Sequence, residues 1–311
     1  MRTKNNLLEA HKGYVLVYLD DICIFKKGSD SEHREAVEAV LPTLHEDGWH
    51  LNTEKCEWLV DKVHCLGHVV HAEGVRAASS KIDAVVQWPR PRKVREVCSL
   101  LGMVGRYSHF FDRFVEIAAP LYGLSGNANS RSAVVWGASQ DRGFNMLKQA
   151  LVSAPILGLP EPRNGTFDIH CYTYKGAGGG VLTQLQSAIR RTIAYCWHKL
   201  TEPQTRYEAY DRELQVLHRI LKQWAPIVLG SHVTLHADHR TLIHILHQRM
   251  LSSRQFDNRW GISQVYFNIK HIAGAKNVIA DRLSRPPGHG ETPEELFLLT
   301  ITTAEDEGLN A

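Results

Sequence analysis

At 311 residues, with 43% hydrophobic and 22% charged side chains, the chain has the composition of a folded protein and length enough for two cores, which excludes a disordered tail. Its 36 basic residues against 33 acidic ones give a net charge of +3, too balanced for a polybasic binder yet compatible with a local basic groove. Six scattered cysteines without a CxxC pair suit reduced thiols. The absence of a bilayer-length apolar run or signal-peptide plan leads to the expectation of an intracellular, cytoplasmic or nuclear protein that is not secreted.

The first patterned stretch, Val15-Leu16-Val17-Tyr18-Leu19-Asp20-Asp21-Ile22-Cys23-Ile24-Phe25, brackets two adjacent carboxylates between apolar runs. It predicts a hairpin with Asp20 and Asp21 at its turn. Such a turn is either a solvated acidic loop or a Mg²⁺ site. Adjacent strand residues point to opposite faces, so a shared ion needs a further carboxylate from elsewhere. From Ser31 to Glu46, Ala36, Val37, Val40, Leu41 and Leu44 recur at helical spacing, with Ser31 as the expected cap and Gly48 beyond the end. Two strand-like pieces follow, at 51–56 and 63–70. His64, Cys65 and His68 fall on conflicting faces of the second, which argues against zinc.

Trp88-Pro89-Arg90-Pro91-Arg92-Lys93 is a proline-punctuated boundary whose basic residues Arg90, Arg92 and Lys93 either face solvent or touch phosphate. Val97, Leu100, Leu101, Val104, Tyr107 and Phe111 then mark a helix buried on one side, and Pro120 is expected to end this helical region. After a polar loop at 127–131, Phe144, Leu147 and Leu151 mark another helix. Pro155, Pro160 and Pro162 form the clearest domain boundary.

Beyond it Phe167, Ile169, Cys171 and Thr173 alternate with Asp168, His170, Tyr172 and Tyr174 as in a half-buried strand. The glycines at 176, 178, 179 and 180 turn the chain into a second strand, and 191–197 can supply a third. They lack the lysine after the last glycine and the helical sequel that a phosphate loop needs, so they are a hairpin connection instead. Thr205 with Glu208 reads as a capping box before a long helix striped with Tyr207, Tyr210, Leu214, Leu217, Leu221 and Trp224. Val233, Leu235 and Ala237 alternate in a strand that ends at Asp238, followed by a helix with Leu242, Ile245 and Leu246. Val265, Phe267 and Ile269 mark a late strand, and Asn277 caps a short helix carrying Asp281. From Pro286 the chain turns into a polar tail.

Acids at a strand end and in two helices around such strands resemble a ribonuclease H-like domain, and the motifs sharpen the likeness. YLDD, LNTEKC, CLGHVV with EGV, VVQWPRP, LLGMVGRYSHFF and APLYGL resemble, in that order, the palm tail, thumb and connection of gypsy-type LTR retrotransposon polyproteins. FNMLKQALVSAPIL then leads into AYCWHKL, YEAYDREL, LHADHRTL and AGAKNVIADRLSR, which resemble the ribonuclease H-like domain of the same family. The likeness spans nearly all of residues 14–285. It implies an α/β and α+β fold in four parts: a partial reverse-transcriptase palm at 1–85, a helical thumb and connection at 86–160, a ribonuclease H-like mixed-sheet domain at 161–285 and the tail at 286–311.

The resemblance also implies a chemistry, RNA-directed DNA polymerisation and cleavage of RNA in an RNA/DNA hybrid, with Mg²⁺, or Mn²⁺ in its place, bound by carboxylates. Carried over residue by residue, the catalytic and metal-binding acids are Asp20 and Asp21 of YLDD, Glu213 of YEAYDREL, Asp238 of HADH and Asp281 of VIADRLSR. One position departs. The family carries a threonine-aspartate-alanine-serine run on its first strand, and Tyr172 stands here in place of the aspartate. A phenol is neutral near pH 7 and cannot act as a carboxylate. Asp168 shares its face but lies about 13 Å back along the strand.

The site is therefore expected to be crippled. With so little chain ahead of residue 14, Asp20 and Asp21 are expected to be half of a polymerase site. Residues 1–85 are expected to expose sheet edges and apolar surface, and to be loosely ordered or prone to associate. The implied partner is RNA/DNA hybrid or another nucleic acid, with no membrane; oligomeric state leaves no signature. The alternative to an impaired enzyme segment is a catalytically inactive nucleic-acid-binding remnant, touching phosphate through Arg90, Arg92 and Lys93, or a decayed element fragment.

Overall fold

In the computed structural model of the chain the described residues are 7–19, 21–26, 28–111, 113–125, 129–162, 165–174, 177–237 and 267–271. The features expected at Asp20, Asp238, 242–246, Val265, Asn277, Asp281 and 286–311 lie outside them.

The N-terminal hairpin forms, but its connection is residues 19–20 rather than Asp20 and Asp21: Asp21 already pairs as the first residue of the second strand. β1 (Val15–Tyr18) and β2 (Asp21–Ile24) pair antiparallel with Tyr18 opposite Asp21. Their inner face packs on α1 (Asp30–Glu46), where Val15, Val40, Leu44 and Leu8 close a small core. The cap of α1 is Ser29 rather than Ser31. Ser29 Oγ accepts the Glu32 N–H at 3.4 Å, and the Glu32 carboxylate accepts the Ser29 N–H at 2.8 Å, a reciprocal arrangement that Ser31, already in the first turn, cannot make. Leu16, Tyr18 and Leu19 are exposed on the hairpin, as are Trp58, Leu59 and Val60 further along.

The strand-like piece at 51–56 is instead a single 3₁₀ turn at Thr53–Lys55, because Asn52 Oδ1 accepts the Glu54 N–H and draws the backbone into a turn. The piece at 63–70 is not one strand but a hairpin. β3 (Lys62–Cys65) and β4 (His68–His71) are turned at Leu66 and Gly67, both with positive φ as a two-residue connection requires. β5 (Gly74–Ala77) completes this meander, and Val75 and Leu157 then exchange N–H···O bonds of 2.7 and 2.9 Å. Gly74 sits at φ 144°, and a Cβ there would lie 2.0 Å from the Leu157 carbonyl oxygen. Gly74→Ala is expected to cost more than about 1 kcal/mol, read as a lower urea midpoint; an unchanged midpoint would mean that this junction does not contribute to stability.

A helical layer follows: α2 (Ser79–Val86), α3 (Val94–Gly105), α4 (Phe114–Tyr122) and α5 (Ala138–Val152). Val97, Leu101, Val104, Phe110, Leu121, Leu147 and Leu151 are its buried centre. The expected stripe is split, since α3 stops at Gly105 and a 3₁₀ turn at Ser108–Phe110 carries the chain on. Pro120 does not end the helical region where expected but lies inside α4, which runs on to Tyr122.

The second core belongs to a five-stranded sheet of β6 (Thr166–Tyr174), β7 (Ala177–Gln186), β8 (Ile189–Lys199), β9 (His232–Ala237) and β10 (Phe267–His271), in the order β10-β9-β6-β7-β8. β6, β9 and β10 are parallel, while β7 and β8 run antiparallel to their neighbours. The short α6 (Glu202–Thr205) takes its capping pair from Thr201 and Gln204, and α7 (Ala209–Val228) begins after Glu208 without a side-chain cap, so the predicted Thr205–Glu208 box is not made. α7 buries Leu214, Leu217, Ile220, Leu221 and Trp224 on one sheet face, against Phe167, Ile169, Cys171 and Leu182. The linker between the helical layer and this sheet is fastened at both ends. Gly158 N–H donates to the Thr192 carbonyl at 2.7 Å, and Gln184 bonds the Glu161 backbone twice, at 2.9 and 2.8 Å. Among the described residues no helix is long and apolar enough to cross a membrane.

Candidate active site

The glycines of β7 decide where α7 lies. A Cβ at Gly180 would come 3.0 Å from Ile220 Cδ1, and one at Gly178 would come 2.3 Å from Val216 Cγ2, so helix side chains rest directly on the strand backbone. Passing from Gly180 to Gly178 on the strand follows Ile220 to Val216 on the helix. Glu213, one turn earlier, is therefore carried beyond Gly178, toward the end of β6 where Thr173 pairs with Gly178 and Tyr174 with Ala177. Glu213 is 1% exposed. Burial pushes the neighbouring Tyr210 phenol up, with the negative charges of Asp211 and Glu213 adding to the effect.

Position 172 lies at the same end, its backbone paired with Gly179. Two of the sequence-derived positions, Glu213 and Tyr172, are thus brought to one end of the sheet. β9 runs beside β6 with His236 opposite His170 and ends at Ala237, one residue before Asp238. Asp238, Asp281 and Asp20 lie outside the described residues. A divalent ion of the Mg²⁺ class needs several carboxylate oxygens. Glu213 is the acid that the described part contributes at this end. Among the described residues no group of three potential ligands stands close enough to hold a metal.

The sequence pattern did not reveal the polar network on the sheet face away from α7. Asp168 on β6 pairs with Arg190 on β8 through Oδ2 and accepts from His236 Nε2 on β9 at 2.8 Å through Oδ1. The His236 ring stacks on His170 at 4.4 Å and 8°. Arg190 also donates to Thr183 Oγ1 at 3.3 Å. Asp168 is thus committed to holding three strands together, in addition to lying four residues from position 172 along β6.

Burial works to raise the Asp168 pKa, but the His236 hydrogen bond and the Arg190 charge outweigh it and hold the group below its ordinary 3.8. A carboxyl depressed in the folded state stabilises above its unfolded pKa and loses that contribution as pH falls through the folded value. Asp168→Asn is expected to lower the urea midpoint at neutral pH, with the gap to the native chain closing only below pH 3.8. A gap independent of pH would contradict this assignment.

At the N-terminal hairpin Asp21 is exposed at the first position of β2, and Leu19, the first residue of the connection, has φ 51°. A bulky residue in the left-handed region is costly, about 1–2 kcal/mol, so this turn is strained at the place where the sequence puts its acids. The basic cluster is exposed too. Arg90 lies over the Trp136 ring at 5.1 Å, while the backbone N–H groups of Arg92 and Lys93 go to the Glu96 carboxylate at 2.7 and 3.4 Å. Those backbone bonds leave the Arg92 and Lys93 side chains directed to the surface, beside the start of α3.

Two family models match the chain: the RNase H-like domain found in reverse transcriptase over residues 136–235, and reverse transcriptase (RNA-dependent DNA polymerase) over residues 2–70. Among curated relatives, the retrovirus-related Pol polyproteins from the Drosophila melanogaster transposons 297 and opus are each 29% identical, over 91% and 92% of this chain. The Tf2-3 transposon polyprotein of Schizosaccharomyces pombe is 28% identical over 89% of it. The chain spans 26%, 29% and 21% of the lengths of these three relatives, about a quarter. Among solved structures, the foamy viral protease-reverse transcriptase in complex with RNA/DNA hybrid is similar at a TM-score of 0.75 and 21% identity, covering 94% of this chain and 39% of that one. The same protein in complex with dsDNA gives 0.73 and 21%, over 87% and 57%. This likeness shows a shared reverse transcriptase/RNase H-like α/β fold.

Proposed function

Since the chain belongs with the LTR-retrotransposon polyproteins, carrying reverse transcriptase and RNase H-like domains in that order, we propose that it is the polymerase-to-nuclease stretch of such a polyprotein with a disabled nuclease site. The parts divide near residues 85, 160 and 285. Families of both kinds work with divalent metal ions, and the ion we assign is Mg²⁺, with Mn²⁺ able to replace it. Glu213, Asp238 and Asp281 would hold it in the nuclease module, where such an ion supplies positive charge to the attacked phosphate and acidifies a bound water. Asp20 and Asp21 would serve the polymerase turn, and Arg90, Arg92 and Lys93 would meet phosphates in a salt-dependent way. The partner is RNA/DNA hybrid, as in the complexes of the structural relative.

The observation that carries the reading is the burial of the Glu213 carboxylate at the end of β6 where the first-strand acid is replaced by Tyr172. A carboxylate at this place is the oxygen donor that a divalent ion of the Mg²⁺ class takes. The same replacement favours the second reading, a domain that binds nucleic acid without cutting it. Cleavage of the RNA strand of a hybrid by the full chain in Mg²⁺ or Mn²⁺ separates the readings: the native chain is expected to be far slower than Tyr172→Asp. Equal rates would contradict the disabled site, and inactivity of both folded chains would favour the binding domain.

A further inference from the structure

A cleft of about 390 Å³ opens where the C-terminal end of β8 meets the helical layer. Its volume falls within the about 300–1,000 Å³ usual for small-ligand sites, and it sits between two packed units, where such sites concentrate. Phe114 belongs to the helical core and Trp197 packs against that core, while Cys196, the next residue back along β8, belongs to the sheet core. The walls are aromatic, formed by Phe114, Tyr122 and Trp197, and the polar groups are Ser108, His198 and Lys199. No carboxylate lines the cleft among its described lining residues. The His198 ring lies 3.5 Å from Cys196 Sγ on the strand face opposite Trp197 and Lys199, so the charge on the cleft side is that of the exposed Lys199.

The strand register gives the cleft a second property. Trp197 pairs with Gly179, and Gly179 pairs with Tyr172. The three positions form one row across the sheet, and the middle one carries no side chain. Two strand spacings, about 10 Å, separate the cleft from the altered catalytic position. A nucleic-acid strand lying over the Tyr172 end of the sheet can therefore reach the cleft with an adjoining nucleotide.

We propose that this cleft is a nucleotide subsite that takes one unpaired nucleotide of a single strand, its base against Trp197, Tyr122 and Phe114 and its phosphate on Lys199. Stacking of bases on aromatic side chains beside a cation is the recurrent way that proteins hold single strands without reading sequence. The inference rests on the reading of this sheet end as a place where nucleic acid lies, but binding alone tests it, so failed hybrid cleavage does not decide it.

The full chain is titrated with AMP, adenosine and inorganic phosphate, followed by tryptophan fluorescence and by calorimetry, with Trp197→Phe separating the local signal from the other indoles. AMP is expected to saturate, with adenosine and phosphate each binding at least about tenfold more weakly, because each lacks one of the two contacts. Lys199→Gln, an exposed substitution that leaves the cores intact, is expected to erase the advantage of AMP over adenosine. Short single-stranded oligo(dA) is expected to displace AMP. The proposal is overturned if AMP does not saturate, if phosphate alone binds as tightly as AMP, if Lys199→Gln leaves the AMP advantage intact, or if oligo(dA) fails to compete and only the free nucleotide binds.

Discussion

The Tyr172→Asp chain is expected to cut the RNA strand of an RNA/DNA hybrid about 10²–10³ times faster than the native chain in the same Mg²⁺ buffer. A metal ion fixed by a full carboxylate set contributes several kcal/mol to the stabilisation of charge on a reacting phosphate, and each 1.36 kcal/mol is a factor of ten in rate. A tyrosine offers one phenolic oxygen and no carboxylate, so the residue type at 172 does not supply that set. The gain also depends on Glu213, which lies at the same end of the sheet as position 172. Adding Glu213→Gln to Tyr172→Asp should remove the restored activity. Initial rates on an end-labelled hybrid, for chains shown folded by circular dichroism, check both parts. A Tyr172→Asp chain no faster than native would mean that another defect disables the site.

The largest expected loss of stability is at Trp224. It is 2% exposed, and its ring lies 3.6 Å from where a Cβ of Gly180 would be, so it fills the space that the glycine leaves between α7 and β7. Trp224→Ala removes that ring from the sheet core and leaves a void which glycine backbone cannot collapse to fill. A cost of about 3–5 kcal/mol follows from comparable aromatic truncations in packed cores. Urea unfolding read by far-ultraviolet circular dichroism would show the transition of the sheet domain moving to lower denaturant, while the helical layer, whose core is separate, loses much less. A loss below about 1 kcal/mol would mean that α7 is not seated on the sheet through this residue.

The elements that the sequence made legible are those with a long, clean period. The alternation of Phe167, Ile169 and Cys171 against Asp168 and His170 becomes β6, and the stripe from Leu214 to Trp224 becomes the buried face of α7. The hairpin at 15–24 is equally plain, because apolar runs flank a two-residue connection. Short elements left no such record. β5 has four residues, with a glycine and an arginine among them, and α2 spans a single eight-residue stretch, so periodicity had little to act on. Caps were misread for a related reason: Ser29 and Ser31 are equivalent by residue type, and only the reciprocal bonds with Glu32 distinguish them.

The candidate site was legible through motif rather than through physics. Glu213 is one of two acids on α7, and its place near the end of β6 depends on the glycines of a different strand. The Asp168 network could not have been found locally, since Arg190 and His236 lie 22 and 68 residues along the chain from it. The cleft at Trp197 likewise joins β8 to helices far earlier in the sequence. Asp238 and Asp281 rest on the motif alone.

We propose that Glu213 and the acids of HADH and VIADR form a divalent-ion site weakened by the absence of a carboxylate at 172. Manganese binding, followed by electron paramagnetic resonance of free Mn²⁺ and by calorimetry, tests it without requiring turnover. Weak binding is expected for the native chain, binding at least about tenfold tighter for Tyr172→Asp, and loss of that gain in Tyr172→Asp with Glu213→Gln. Equal Mn²⁺ affinity in all three chains would contradict it.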